Sequence, residues 1–407
     1  MRILACADIH MGRKSDLASS GHAAWDAIVQ KAIELQVDAL LLVGDVVEQE
    51  KAWLSVYGPL LAGLSRLKEE GIEVIGVGGN HDWSVFPRLA SESDAITILG
   101  LNGSWQAHDV GFIRFLGWSF PRRHVDYSPL DSFDSSLFDP SRLTLGLLHG
   151  DFGQSLSSYA PIDAISLTKT GVPLWMLGHI HTPGKVAGAE AYYCGSSYAL
   201  DVQEKGAHGL YLLETVGEHF WKEPTFIPLC PYRYERYTVD VSGLTDVEHV
   251  RSAITRTARE FVEHLSFSGT VVLTPVFRGK LHASLDLFQV FPSERGLYEE
   301  LFPNGERGKV LLSNRLEDET ETEVDLLQLA KGSGPEALLA TMLSDEKTLQ
   351  EMGRQYQALE EESYNTTGFN LLQKQSLTQK EAQLEARYAG IRLLRSMLSQ
   401  RRESDGE

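Results

Sequence analysis

The sequence predicts an α/β fold, a domain built on a mostly parallel sheet, followed by a small α+β domain and a helical C-terminal region. Three observations carry that expectation. Short apolar runs alternate with amphipathic stretches through the first two hundred residues; after Gly195 the texture changes to alternating strands around one amphipathic helix; and from about residue 322 the chain is charged, helical in pattern and without strand signals. At 407 residues the chain is too long for one ordinary core, so two or three domains are expected.

Residues 2–7, 38–43, 72–77, 143–148 and 174–177 are apolar runs of 4–6 residues, too short for typical helices. Helical patterns at 22–35, with Ala24, Ile28, Ile33 and Leu35 near one face, and at 54–67 separate the first three. Strand, helix, strand at this spacing means right-handed βαβ units. Residues 112–116, reached through Asn102-Gly103, read as part of a hairpin or a second sheet. Further on, 209–213 and 232–241 alternate like exposed strands, 248–265 is an amphipathic helix, and 270–277 and 281–288 are strands. The expected domains are 1–232, 233–321 and 322–407.

The formal net charge is −19. That argues against broad electrostatic adhesion to nucleic acid, although bound cations or a partner could supply local positive charge. Residues 316–325 hold six carboxylates and no base, a pattern expected of a solvated face or loop. Cys6, Cys194 and Cys230 form neither a disulfide framework nor a thiolate zinc site, and Cys6 reads as a small buried hydrophobe. There is no apolar run of 18 residues and no signal-peptide pattern at the N-terminus, so the expected location is cytoplasmic, with no membrane association.

Polar residues fall where the strands end. Asp8 and His10 follow the first run, Gly44-Asp45 the second, Gly79-Asn80-His81-Asp82 the third, His149-Gly150 the fourth and Gly178-His179-Ile180-His181 the fifth. Open α/β sheets bind ligands beyond the carboxyl ends of their strands, so these clusters converge. Imidazole and carboxylate without thiolate suit manganese, iron or zinc. Seven such side chains (Asp8, His10, Asp45, Asn80, His149, His179 and His181) are too many for one ion and suit two, with Asp45 the natural bridge. Two ions would activate a water for attack on a phosphoester. The flanking glycines Gly44, Gly79, Gly150 and Gly178 suit turns with positive φ or close approach to an ion.

In full and in order, this series resembles the calcineurin-like metallophosphoesterase superfamily. The resemblance implies a four-layer β-sandwich flanked by helices. It also implies one metal held by Asp8, His10, Asp45 and His181, and a second held by Asp45, Asn80, His149 and His179; manganese is the expected ion. His81 is then a phosphate donor or general acid, with Asp82 tuning it. The opening residues 1–12, Gly195-Ser196-Ser197 and Glu204-Lys205-Gly206 are similar to the nuclease subunit of SbcCD-type DNA double-strand-break repair complexes. That likeness implies DNA as substrate, a DNA-capping domain at 233–321, and a C-terminal region docking on an SbcC-type coiled-coil ATPase; a homodimer is compatible with it. Some members of that group carry a histidine shortly after the Gly-Asp motif, whereas here the chain reads Gly44-Asp45-Val46-Val47-Glu48. That departure bears on exonuclease efficiency and not on hydrolysis itself; exo versus endo preference stays open. The expected function is thus a DNA exo/endonuclease; the alternative is a stand-alone phosphomonoesterase or cyclic-nucleotide phosphodiesterase. A scaffold that has lost activity is disfavoured because no ligand of the series is missing.

Two further features have paired readings. Arg122-Arg123-His124 after Trp118 is either a nucleic-acid backbone contact, with Trp118 nearby, or a solvated loop. Leu384, Tyr388, Ile391, Leu394 and Leu398 form one helical stripe, which docks either on the partner ATPase or on the chain's own earlier helices.

Overall fold

The computed structural model describes all residues except 14–20, 50–52, 283–284, 286, 291–298, 306–307, 314, 323–325, 365–378 and 406–407. It divides into two compact units, Met1–Glu235 with Gly269–Val272, and Arg236–Ser268 with Leu273–Glu407. Among the described residues no helix is long and apolar enough to cross a membrane.

The first unit begins β1 (Arg2–Cys6), α1 (Gly21–Glu34), β2 (Ala39–Val43), α2 (Trp53–Glu69), β3 (Glu73–Val77), α3 (Val85–Ser91) and β4 (Thr97–Ile98). It continues through β5 (Trp105–Val110), β6 (Ile113–Trp118), β7 (Leu143–His149), α4 (Ala164–Lys169), β8 (Trp175–Gly178), β9 (Gly184–Lys185) and β10 (Ala191–Tyr193) to β11 (Gly209–Val216), β12 (Phe220–Trp221) and β13 (Thr225–Pro228). The βαβ units are present, but the strands form two sheets, not one. The first has the order β12-β11-β1-β2-β3-β4 with β13 on β11; the second is β5-β6-β7-β8-β10-β9. Strands β1, β2 and β3 pair in parallel, with Ile3 opposite Ala39 and Leu41 opposite Ile75. Strands β6, β7 and β8 are also parallel, and β5 and β6 make the expected hairpin.

The two sheets bury their facing sides against one another. Ile3, Ala5, Leu41, Val43, Ile75 and Val77 from the first meet Phe115, Leu145, Leu147 and Met176 from the second, all within 1% of complete burial. Side chains alternate across a strand, so the opposite faces carry a second set of apolar residues. Leu4, Leu40 and Leu42 are likewise fully buried on one side, where α2 packs on β3 and α1 on α2. On the other, Leu148, Trp175 and Leu177 pack with Leu167 of α4, Val125 and Ile162. This is why strand residues that looked uniformly apolar in sequence need cover on both sides.

Most of the sheet of β14 (Tyr232–Asp240), β15 (Thr270–Arg278), β17 (Glu299–Asn304), β18 (Gly308–Leu312) and β19 (Glu317–Asp318), in the order β14-β15-β18-β17 with β19 on β15, falls in the second unit; residues 232–235 and 270–272 are counted with the first. Helix α5 (Val247–Glu263) is capped by Asp246, which accepts from the His249 amide at 2.9 Å, the usual way of satisfying a first-turn donor. Of the strand expected at 281–288, residues 283, 284 and 286 lie outside the described residues, and the described ones do not continue a strand. Lys280–Leu281 forms β16, paired with β20 (Glu321–Thr322), and Leu287–Val290 is a 3-10 turn. Within the described part of the acidic run Glu317 and Asp318 pair with β15, and the exposed Glu319 accepts from Arg278 at 2.8 Å.

The C-terminal part is helical: α6 (Leu326–Leu329), α7 (Pro335–Ser344), α8 (Glu346–Tyr364) and α9 (Gln379–Asp405). Here the apolar stripe of α9 is split. Leu394, Ile391 and Leu398 pack with Ala340, Leu343, Leu349 and Met352 of the chain's own helices, while Leu384 and Tyr388 are 49% and 50% exposed. The self-packing reading therefore holds for the C-terminal half of the stripe.

Candidate metal centre

The loops after β1, β2 and β3 of one sheet and the ends of β7 and β8 of the other deliver the predicted residues to one place. Asp8, His10, Asp45, Asn80, Asp82 and His149 are at most 3% exposed. Donor atoms of Asp8, His10 and His181 lie within 4.8 Å of one another, as do those of Asp8, Asp45 and His149, and those of His10, Glu48 and His81. Asp45 belongs to the second group and comes within 3.9 Å of His10 Nε2 in the first. Asn80 joins the cluster through Oδ1, 3.0 Å from His149 Nε2 and 3.2 Å from His179 Nδ1.

The backbone is unusual at these positions. Asp8, His10, Asp45 and His179 have φ of 50°, 49°, 50° and 102°. Non-glycine residues avoid the left-handed region unless their surroundings enforce it, and such strain gathers at functional sites. Of the flanking glycines only Gly44 has positive φ, at 84°. Gly79 and Gly178 are needed for space, since a Cβ on Gly79 would strike the Asp45 carboxylate and one on Gly178 the Val43 carbonyl.

Hydrogen bonds behind the imidazoles settle which nitrogen faces inward. Nδ1 of His10 donates to Glu48 Oε2 at 2.7 Å, Nδ1 of His181 to Glu204 Oε1 at 2.6 Å, and Nδ1 of His149 to the Val43 carbonyl at 3.0 Å. In its neutral form each imidazole then presents an Nε2 lone pair toward oxygens: His10 and His181 toward Asp45 and Asp8 at 3.9 Å, His149 toward Asp45 at 3.3 Å. His10 Nε2 is buried and has no hydrogen-bond partner among the described residues. Acceptors facing acceptors in a dry site require a cation between them, so the donor set fits divalent metal.

The electrostatics say the same. Burial raises Asp8 above the usual carboxylate range. Burial also opposes charge on Asp45, yet His149 and His10 beside it hold it below that range. His149, despite burial, is lifted to about 9 by Asp45 and Asp8, whereas burial and His149 press His179 down to about 3. In a metal-free site a proton on His149 does what a cation would otherwise do.

Two expected roles take a different form. Asp82 does not hydrogen-bond His81. It accepts from the amides of Val46 at 2.7 Å, Val47 at 3.2 Å and Gly79 at 2.8 Å, so it ties the loop after β3 to the loop after β2. Burial and the Asp45 charge raise it to about 7. Trp118 is fully buried in the core and offers nothing to a ligand, because it sits on the covered face of β6. Arg122, Arg123 and His124 are exposed, with Arg122 3.9 Å from Asp126.

His81 lies at the rim of the cluster, its side chain 31% exposed. Its amide donates to Asp45 Oδ1 at 2.9 Å and its Nδ1 to the Glu48 carbonyl at 3.2 Å, with the ring 5.0 Å from that of His10. That leaves Nε2 as the nitrogen available to a ligand. Glu48 and Glu204 were not foreseen as parts of the site; Glu48 lies three residues beyond Asp45 and Glu204 in the Glu204-Lys205-Gly206 motif. Tyr159 was also missed, and its ring lies 5.2 Å from that of His179 and 5.5 Å from that of His124.

Residues 1–183 match the family model described as calcineurin-like phosphoesterase. The uncharacterized metallophosphoesterase YhaO of Bacillus subtilis is 26% identical over 336 residues, 78% of this chain and 77% of that protein. The DNA double-strand break repair protein Mre11 of Methanopyrus kandleri is 25% identical over 254 residues, 53% of this chain and 54% of that protein. Its namesake in Haloferax volcanii is 26% identical over 280 residues, 64% of this chain and 58% of that protein. The matches to these two archaeal relatives thus span little more than half of their length. Residues 1–183 are thus similar to the calcineurin-like phosphoesterase family, and the donor set gathered there suits divalent metal ions.

Proposed function

We propose that this protein is a phosphodiesterase that cuts DNA, an exo/endonuclease subunit of a double-strand-break repair complex. One observation supports the hydrolytic part: the side chains of Asp8, His10, Asp45, Asn80, His149, His179 and His181 gather at one end of the two sheets, and among them the buried His10 Nε2 has no hydrogen-bond partner among the described residues. Asp8, His10, Asp45 and His181 would hold one ion, and Asp45, Asn80, His149 and His179 the other. Manganese is among the ions this donor set suits. Bound there, two divalent ions supply water activation and stabilisation of developing negative charge. The protein's own part is positioning. Glu48 and Glu204 orient imidazoles, Asp82 fixes two loops in register, and His81 presents Nε2 to a phosphate oxygen or leaving group.

The assignment to DNA is supported by the likeness to the Mre11 proteins and by the long remainder of the chain beyond the catalytic part. In this reading 1–232 is the catalytic domain, 233–321 caps the DNA, and 322–407 docks on an SbcC-type ATPase. Purified protein with manganese, given linear duplex DNA, single-stranded DNA and a chromogenic phosphodiester side by side, tests it. Cleavage of DNA is expected. Turnover of the small ester alone would favour a small-molecule phosphoesterase, and no turnover of any substrate would refute the reading.

A further inference from the structure

The imidazoles of the two halves of the site differ in what stands behind them. His10 and His181, which face Asp8, are each backed by a carboxylate, Glu48 at 2.7 Å and Glu204 at 2.6 Å. Behind His149 is a neutral main-chain carbonyl, that of Val43, and His179 turns its own Nδ1 toward Asn80. With Asp45 and Asp8 near both halves, one half has Glu48 and Glu204 behind its imidazoles, whereas the other has the neutral Val43 carbonyl and Asn80 amide.

Glu204 is not there by accident of a surface loop. Its side chain is 14% exposed, and its second oxygen accepts from the Leu200 amide at 2.8 Å and from Ser196 Oγ at 3.1 Å. Ser196 Oγ in turn accepts from His208 Nδ1 at 2.8 Å, and Ser196 is bridged to Ala7, the neighbour of Asp8. His208 and Ser196 are buried. The chain His208, Ser196, Glu204, His181 therefore holds one carboxylate rigidly on one imidazole. A carboxylate in that position fixes tautomer and ring orientation and makes the inward nitrogen a stronger donor.

We propose that Glu204, together with Glu48, is a positioning residue that makes Asp8–His10–His181 the tighter of the two cation sites, so that it loads first, while Asn80–His149–His179 holds its ion more weakly and exchanges it. The inference rests on the two-ion reading above.

The test is a titration of the metal-stripped full chain with manganese, followed by calorimetry and by the resonance signal of free ion. Wild type should show two classes of site. His149→Ala, which removes a donor from one half only, should abolish the weaker class and spare the tighter. Glu204→Gln should weaken the tighter class by about 10–100-fold and leave the weaker class in place. Glu48→Gln makes the same prediction should Glu204→Gln fail to fold. Two equal sites in wild type, an equal fall in both classes, a fall confined to the weaker class, or unchanged affinities in both glutamine variants would each overturn the proposal. Absence of any manganese binding by wild type would refute the two-ion reading itself, a different result from loss of the ordering.

Discussion

Asp82 accepts the amide hydrogen of Val46 at 2.7 Å, so a side chain adjacent to His81 in sequence holds the loop that carries Asp45. Its two oxygens satisfy three buried amides. Asp82→Asn would set an NH2 group against amide hydrogens, at a cost of about 1–3 kcal/mol for the donor left unsatisfied. Urea unfolding of the metal-free protein should show that loss, with the pH–rate profile of the remaining activity unchanged. An unaltered midpoint with a shifted profile would return Asp82 to a role in tuning His81.

His81 and Asp45 should separate cleanly. His81 lies at the rim and uses Nδ1 on a main-chain carbonyl, whereas Asp45 reaches both donor groups. His81→Ala is expected to keep both metals and lose about 10²-fold or more in hydrolysis of a chromogenic phosphodiester, as for a positioned acid or phosphate donor. Asp45→Ala should lose metal as well as activity. Anomalous scattering from manganese-soaked crystals should place two ions about 3.5–4 Å apart, and a single ion at saturation would count against the bridging role of Asp45.

The split stripe of α9 makes a paired prediction. Leu394 is fully buried among Ala340, Leu343 and Leu349, so Leu394→Ala should cost about 2–5 kcal/mol of unfolding free energy. Tyr388 is half-exposed, and Tyr388→Glu should leave the thermal midpoint within a degree or two. If Tyr388→Glu destabilises as much as Leu394→Ala, the exposed half of the stripe is also part of the core.

Acid sensitivity should trace in part to His208. Burial holds its pKa below the ordinary imidazole value, so the folded state favours the neutral ring. Stability from this source is complete above about pH 6.5 and is lost as the pH falls below it toward the folded-state value. Thermal midpoints of the metal-free protein between about pH 7 and 5 should therefore decline, and His208→Gln should flatten that decline. A variant with an equally steep curve would assign the loss to other groups.

What could be read from the sequence was what depends on neighbours in the chain. Strand runs such as 38–43 and 143–148, the helical periodicity of 22–35, and ligands placed just past strand ends are local patterns, because side-chain period follows backbone geometry. The observed β2, β7 and α1 lie within a residue or two of those runs. Tertiary structure alone decided the rest. Nothing local told that β1–β3 and β7–β8 belong to two facing sheets, since both sets are equally apolar and both faces of each sheet need cover. Nothing local showed that Glu204 stands behind His181, 23 residues away, or that Asp82 serves Val46 and not His81, because a carboxylate's partner is set by which loops the fold brings together. The stripe of α9 was legible as apolar, but which part of it found a core depended on where Leu343 and Leu349 came to lie.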